Sequence, residues 1–283
     1  MQGTKLIFLY FFGMVGLCML PPHQAHSQVM YAGLKSGFQA SWTKHDDTHT
    51  TYDDLYKIYP VPGFNFGGVF SFKVRDRYFL HTECLFSTKG RTIRGRADKE
   101  LKDRLIYYYV EVPLMYNVFF DAKLRAKQIK QFKWYVGIGP NFSYWLGGKG
   151  KIYNTEFSEN SFPALEYKLK FGERGEDQGE KELIYIRDAK RLQLGLNIGG
   201  GILLEPINGR KYMIDLRFEL GHTWLGKERS ADYVIPVDYT EGENLRDRNM
   251  GIRLSFMYMF ESSLDKKTRN KGKSTKKVKR NRL

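Results

Sequence analysis

The sequence contains little cysteine and little that suggests a helical membrane protein. Only Cys84 follows residue 27, so an internal disulfide is excluded, and no Cys/His cluster has metal-ligand spacing. The one long apolar run, from Leu6 to Leu20, is too short for a comfortable transmembrane helix. No G-x-S-x-G motif or comparable nucleophile setting is present. These absences argue against a disulfide scaffold, a helical membrane protein and a common type of hydrolase, and they imply no cofactor.

What the sequence does contain is an alternation of apolar with polar or small residues at a period of two. Segment 212–224 shows it most clearly, with Tyr212, Ile214, Leu216, Phe218, Leu220 and Trp224 on one parity and Met213, Asp215, Arg217, Glu219, Gly221 and Thr223 on the other. Aromatics at both ends of the apolar face and ionisable groups opposite are what a transmembrane β-barrel requires. The mean hydropathy of −0.49 agrees with this, because the apolar band of a barrel occupies only every second residue.

Eight segments with this alternation predict an all-β fold, an eight-stranded antiparallel transmembrane β-barrel with a polar lumen. They span about 30–42, 63–74, 78–88, 106–119, 133–146, 191–204, 212–224 and 251–260. The connections after the first, third, fifth and seventh strands are long and the others are shorter, as in outer-membrane barrels with long surface loops. Gly137 and Gly139 fall on the inward parity, where a narrow lumen needs small residues.

The polar parity decides between a membrane barrel and a soluble β-sandwich or lipocalin-like barrel. Those soluble folds enclose an apolar core or an apolar cavity, and neither would bury nine ionisable groups. A polar lumen can hold them. We therefore predict a network of paired charges that fills the lumen and blocks conduction. A proton or solute path through it is the alternative. The predicted members of the charge network are Lys35, Lys73, His81, Glu83, Glu111, Asp215, Arg217, Glu219 and Arg253.

The N-terminus predicts export across the inner membrane. Lys5, the apolar run and the small-x-small sequence Ala25-His26-Ser27 follow the order of a secretory signal peptide. We therefore predict a signal peptide over 1–27, an outer-membrane β-barrel over 28–262 and a basic tail over 263–283. Because the number of strands is even, a chain that begins in the periplasm also ends there.

The tail is the strongest charge anomaly in the chain. Of a formal net charge of +15, residues 265–283 supply +9, from ten cations and Asp265. With almost nothing apolar, the tail is predicted to be disordered and to associate with anionic surfaces by charge. Acidic periplasmic proteins and peptidoglycan are the candidate partners, a solvated tail is the alternative, and nucleic acid is excluded by location. The cations are Lys266, Lys267, Arg269, Lys271, Lys273, Lys276, Lys277, Lys279, Arg280 and Arg282.

Four stretches resemble the PorT-like family of outer-membrane β-barrels. They are AGLKSG (Ala32 to Gly37), VEVPLMYNV (Val110 to Val118), VGIGPNFSYWLGG (Val136 to Gly148) and a final strand that ends at Phe260. The resemblance covers about 29–260. It implies a small eight-stranded barrel of the bacterial outer membrane. The founding member of the family is linked to type IX protein secretion, and the wider family includes many barrels of unknown role.

Catalysis and metal binding have little support, and we predict no catalytic and no metal residue. A barrel enzyme would have to use His222 or Thr223, and a cation site would have to use the polar segment that holds His45, Asp46, Asp47, His49, Asp53 and Asp54. The predicted function is a non-enzymatic barrel, in contact with outer-membrane lipid and with other subunits of a type IX-like secretion machinery. The alternative is a surface barrel that binds an external ligand or tethers the envelope to peptidoglycan. No small-molecule substrate is evident.

Overall fold

The computed structural model describes residues 30–45, 56–96, 100–122, 129–153, 164–172, 183–206, 210–226, 231–232 and 246–262. These residues form strands and no helix, so none of them belongs to a helix that could cross a membrane. The strands are β1 (Met30–His45), β2 (Tyr56–Arg75), β3 (Tyr78–Gly95), β4 (Lys102–Ala122), β5 (Ile129–Tyr153), β6 (Leu165–Phe171), β7 (Leu183–Ile186), β8 (Leu192–Pro206), β9 (Lys211–Gly221), β10 (Ala231–Asp232) and β11 (Asp247–Ser262).

Eight of these strands close into an antiparallel ring. The order is β1–β2–β3–β4–β5–β8–β9–β11, and β11 pairs again with β1 along its whole length. Within the ring β5 pairs directly with β8, and β6 and β7, which come between them in sequence, are not part of the ring. The prediction of an eight-stranded barrel is confirmed, since each of the eight segments overlaps one strand of the ring. The seventh segment is predicted too long, because β9 ends at Gly221 and Thr223 and Trp224 lie beyond it. An interior of this size is just wide enough to be filled by side chains.

The outer wall of the ring is an apolar belt. Leu34 and Phe38 on β1 are 69% and 78% exposed, and each of the seven remaining ring strands also has exposed large apolar side chains. On β9, Ile214, Leu216 and Phe218 are exposed while the residues between them are buried. Alternation at period two therefore places the apolar parity outward and the ionisable parity in the lumen, as the sequence predicts.

The two ends of the barrel differ. At one end, which we call the turn end, Asp76 and Arg77 alone connect β2 to β3. At the other, the loop end, β3, β4 and β5 continue beyond the belt, and β6 pairs with β5 at Gly148–Ile152. β6 then pairs in parallel with β7, and β7 with β10. We call this additional sheet the loop-end extension.

The sequence underestimates the strands at the loop end. The polar stretch that follows residue 88 is predicted as a connection, yet its first residues, up to Gly95, belong to β3 and its last ones, from Lys102, belong to β4. Beyond the belt the outward residues turn polar, so the alternation that identifies a membrane strand stops although the hydrogen-bonded ladder continues. The predicted signal peptide, the basic tail over 263–283 and residues 46–55 lie outside the described residues.

Candidate functional site

The lumen holds two clusters of buried charges, one above the other along the barrel axis. Each contains two cations and two carboxylates, so each is neutral. The cluster nearer the turn end consists of Lys35, Glu83, Asp215 and Arg217, and the cluster nearer the loop end consists of Lys89, Glu111, Glu219 and Arg253. We call them the lower cluster and the upper cluster.

The lower cluster joins three strands across the barrel. Lys35 Nζ donates to both oxygens of Glu83 at 3.1 Å and to Asp215 Oδ2 at 2.9 Å. Arg217 donates two parallel hydrogen bonds, of 3.1 and 2.6 Å, to the carboxylate of Glu83. This bidentate geometry makes Arg–carboxylate contacts strong. Tyr135 on β5 donates to Asp215 Oδ1 at 2.6 Å. Four strands of the ring are thus tied together through one set of charges.

The upper cluster repeats this arrangement with residues on β3, β4, β9 and β11. Arg253 pairs with Glu111 and also lies 3.4 Å from Glu219 Oε2, and Lys89 pairs with both carboxylates. Asn141 Nδ2 donates to Glu219 Oε1 at 3.1 Å and to Glu111 Oε1 at 3.3 Å. These additional hydrogen bonds matter because a buried ion pair offsets its desolvation only when its remaining polar atoms are satisfied.

Two of the nine predicted network residues behave differently from the rest. Lys73 lies at the turn end with its side chain 38% exposed and pairs with Asp76 three residues away. Its parity is that of the lumen, but parity does not tell how far along the barrel a residue lies. His81 is buried in the lumen, where its ring packs against Phe79 and Phe119 and neither nitrogen has a hydrogen-bond partner.

Two further cations that the sequence does not predict as lumen residues are buried there. Lys89 completes the upper cluster, and Arg91 pairs with Asp247 closer to the loop end. Both continue the inward parity of His81 and Glu83, so extending the alternation beyond residue 88 would have found them. Asp103 and Asp247 are likewise buried at positions where the sequence predicts connections.

An apolar core covers the charges at the loop end. Trp145 is fully buried, meets the ring of Tyr107 edge-on at 5.1 Å and donates its indole N–H to the carbonyl of Gly147 at 2.9 Å. The core consists of Leu105, Tyr107, Tyr109, Trp145, Ile152, Tyr167, Ile184, Ile186 and Leu225. It joins β4 and β5 to the loop-end extension and places packed apolar side chains on the loop-end side of the upper cluster.

Asp103 is expected to make the free energy of unfolding depend on pH. It lies beyond the apolar belt and accepts a hydrogen bond of 2.8 Å from Tyr167, and burial raises its pKa from 3.8 to about 6 although Arg91 and Tyr167 oppose the shift. Between these values the folded state keeps a proton that the unfolded state has lost. The free energy of unfolding therefore falls as pH rises from about 4 to about 6 and then levels off.

Asp103→Asn is expected to remove this pH-dependent fall in the free energy of unfolding. Above pH 6 the variant should be more stable than the wild type by up to about 3 kcal/mol, at about 1.4 kcal/mol for each pKa unit. Urea unfolding of both proteins across pH 4–8 measures it. Parallel pH profiles for the two proteins would contradict this role of Asp103.

The described residues contain no group of three or more His, Cys, Asp and Glu side chains that could hold a metal ion. His222 follows the end of β9 and is exposed, and Cys84 is a free cysteine on the outward face of β3. The polar segment that was the candidate cation site lies outside the described residues, apart from His45 at the end of β1.

Comparison with solved structures finds several similar chains. Ail of Yersinia pestis is 12% identical over 81% of this chain and 98% of its own, with a TM-score of 0.31. The Neisserial surface protein NspA is 9% identical over 81% and 95%, with a TM-score of 0.34. OprG of Pseudomonas aeruginosa is 11% identical over 85% and 98%, with a TM-score of 0.32. No curated protein sequence matches the chain.

The family assignment rests on the sequence itself. A model of the outer membrane protein beta-barrel domain matches residues 25–223, which include the ring strands from β1 to β9. Of the eight ring strands, only β11, which closes the ring between β9 and β1, lies beyond the match. The chain belongs to the family of outer-membrane β-barrel proteins, and its place in the cell is the outer membrane.

Proposed function

We propose that this protein is a non-conducting, non-enzymatic surface barrel that acts through its outer wall and its loop end. The observation that carries the proposal is the filled lumen. Two neutral clusters of buried charges cross it, and an apolar core lies above them. A barrel with this interior has no solute path, since open channels are built from roughly twice as many strands. The protein therefore functions by binding other molecules at its surface.

The loop-end extension is the surface best suited to bind an external ligand. β6, β7 and β10 extend the barrel sheet, and the buried core beneath them holds their position. Binding residues are commonly carried by connections on a rigid scaffold. We propose that the loop end faces the exterior and the turn end the periplasm, because outer-membrane barrels place their short turns on the periplasmic side.

A role in secretion is the second candidate, and the resemblance to the PorT-like family favours it. Segments Val110 to Val118 and Val136 to Gly148, which carry the resemblance, lie on the adjacent strands β4 and β5. Their outward side chains form one continuous stretch of the belt. In this hypothesis that wall contacts another membrane subunit of a type IX-like machinery.

A clean deletion separates the two functions. For a surface barrel we expect normal export of secreted cargo and altered surface adhesion, restored by the full chain but not by a barrel in which residues 154–190 are replaced by a short turn. Cargo that accumulates in the periplasm would contradict this function and support the secretion role.

The basic tail calls for its own measurement. We propose that residues 263–283 lie in the periplasm, after the predicted signal peptide over 1–27 is removed, and hold acidic proteins or peptidoglycan by charge. The full chain and a variant that ends at Ser263 are purified from detergent-solubilised outer membranes, and their partners are identified by mass spectrometry. Partners lost only from the truncated variant support this role, and identical partners contradict it.

A further inference from the structure

A basic patch covers one side of the outer wall just beyond the apolar belt. Its seven cations lie on five adjacent strands, β2 to β6, and all face outward: Lys57, Arg94, Lys102, Arg104, Lys149, Lys151 and Lys168. Two acids accompany them: Glu166 faces outward on β6 and pairs with Lys151, and Glu100 is exposed two residues before Lys102. We call these seven cations the basic patch.

The strand register places like charges directly opposite one another. Lys57 faces Arg94, and Arg94 faces Lys102 on its other side. Arg104 faces Lys151, and Lys149 faces Lys168. Opposite side chains on neighbouring strands lie about 5 Å apart at Cβ, and like charges in such pairs destabilise a sheet. An anion lying against this face would relieve the repulsion in these four pairs.

Aromatic rings hold part of the patch in place. The ring centroid of Tyr59 lies 5.2 Å from Lys57 Nζ and 5.0 Å from Arg94 Cζ, and Lys102 Nζ lies 5.4 Å from the ring of Tyr153. Cation–π contacts of this length favour the charged side chains without neutralising them. The cations are thus held at the wall of the barrel and remain available to an anion.

The height of the patch identifies the occupant. The belt ends on β4 at Ile106, which lies directly opposite Lys149, so the first cations, Lys149 and Lys168, lie level with the last apolar side chain of β4. The next outward row rises about 5 Å further, for a strand tilted by about 40°. The headgroup layer on each side of a bilayer is about 5–8 Å thick. Lys149, Lys168 and Arg104 therefore lie at the depth of lipid headgroups.

We propose that the basic patch binds the phosphate groups of lipid headgroups in the leaflet at the loop end of the barrel. Lipid phosphates supply fixed negative charge at this depth, and long Lys and Arg side chains reach them from the wall. The bound lipids would neutralise the like-charge pairs and fix how far the loop-end extension rises from the membrane. The identity of this leaflet as the outer one rests on the proposed orientation.

The purified full-length protein, reconstituted in phosphatidylcholine vesicles, provides the test. Electron paramagnetic resonance compares how strongly spin-labelled phosphatidic acid and spin-labelled phosphatidylcholine associate with the barrel. We compare the wild type with a neutral variant, Arg104→Gln, Lys149→Gln and Lys168→Gln. The charge-conserving control is Arg104→Lys, Lys149→Arg and Lys168→Arg. A second control, Arg75→Gln with Arg77→Gln, removes exposed cations at the turn end.

The wild type is expected to prefer phosphatidic acid by roughly fivefold or more, about the preference that one cation near an anionic surface supplies. Added salt should weaken that preference. The neutral variant should lose most of it, and both controls should keep it. A neutral variant that retains the wild-type preference, or a wild type with none, would overturn the proposal.

The proposed orientation is tested separately. A membrane-impermeant maleimide applied to intact cells should label Lys168→Cys. Absence of labelling would contradict the outward-facing loop end and leave the lipid preference of the purified barrel unaffected.

Discussion

Replacing Glu83 by glutamine is expected to lower the free energy of unfolding by about 3–5 kcal/mol, the usual cost of removing one partner from a buried ion pair. Glu83 accepts hydrogen bonds from both cations of the lower cluster, Lys35 and Arg217. Without its charge, Asp215 alone faces two buried cations. Urea unfolding in detergent or lipid, with folding followed by gel mobility and tryptophan fluorescence, measures the loss.

A second substitution tests whether the lost charge balance of the lower cluster causes the destabilisation. Adding Lys35→Met to Glu83→Gln removes the excess positive charge, so the double variant is expected to be more stable than Glu83→Gln alone. The matched control is Glu166→Gln, which breaks the solvent-exposed pair with Lys151 and should change little, as exposed ion pairs do. A double variant less stable than the single one would contradict the role of the lower cluster as a neutral unit.

Gly139→Val is expected to cost at least as much as the upper part of the ~1–3 kcal/mol range for overpacked cores. A Cβ at Gly139 would lie 1.8 Å from the carbonyl oxygen of Leu114 and 3.0 Å from the Cα of Met115. These are backbone atoms of β4, so a rotamer change cannot relieve the contact and the two strands must separate. We expect a lower folding yield and a lower urea midpoint.

The same substitution on the outer wall serves as the control. Gly68 faces lipid on β2, and the nearest atom to its Cβ position is the carbonyl oxygen of Gly33 at 4.0 Å. Valine there meets only ordinary contacts and has a high preference for strands. Gly68→Val should therefore leave folding nearly unchanged, and equal losses at both sites would show that close packing in the lumen does not cause the effect at Gly139.

The sequence predicts the barrel because membrane strands have a strict period. Leu216 and Arg217 are assigned to opposite faces by parity alone, and the structure places the first outward and the second in the lumen. The same rule fails where the outward residues are polar. Beyond Phe86 the outward positions of β3 are Thr88, Gly90, Thr92 and Arg94, so the inward residues Lys89 and Arg91 are missed.

Pairing partners and depth within the lumen require the register. Lys35 meets Asp215, 180 residues away in sequence, because β1 and β9 both pair with β11. Lys73 has the parity of the lumen but belongs to the turn end, while Lys89 occupies the place in the upper cluster. Alternation tells which face a side chain occupies, and only the stagger of neighbouring strands tells how far along the barrel it lies.

Conductance across a planar lipid bilayer tests the filled lumen most directly. The purified barrel, inserted and shown to be folded, should give no steady current steps at any applied voltage, because we expect the two charge clusters and the apolar core to interrupt any water path through the lumen. The glutamine variant of Glu83 serves as a comparison in which the lower cluster is disturbed. Reproducible, ohmic current steps from the wild type would contradict a closed lumen and the surface function proposed from it.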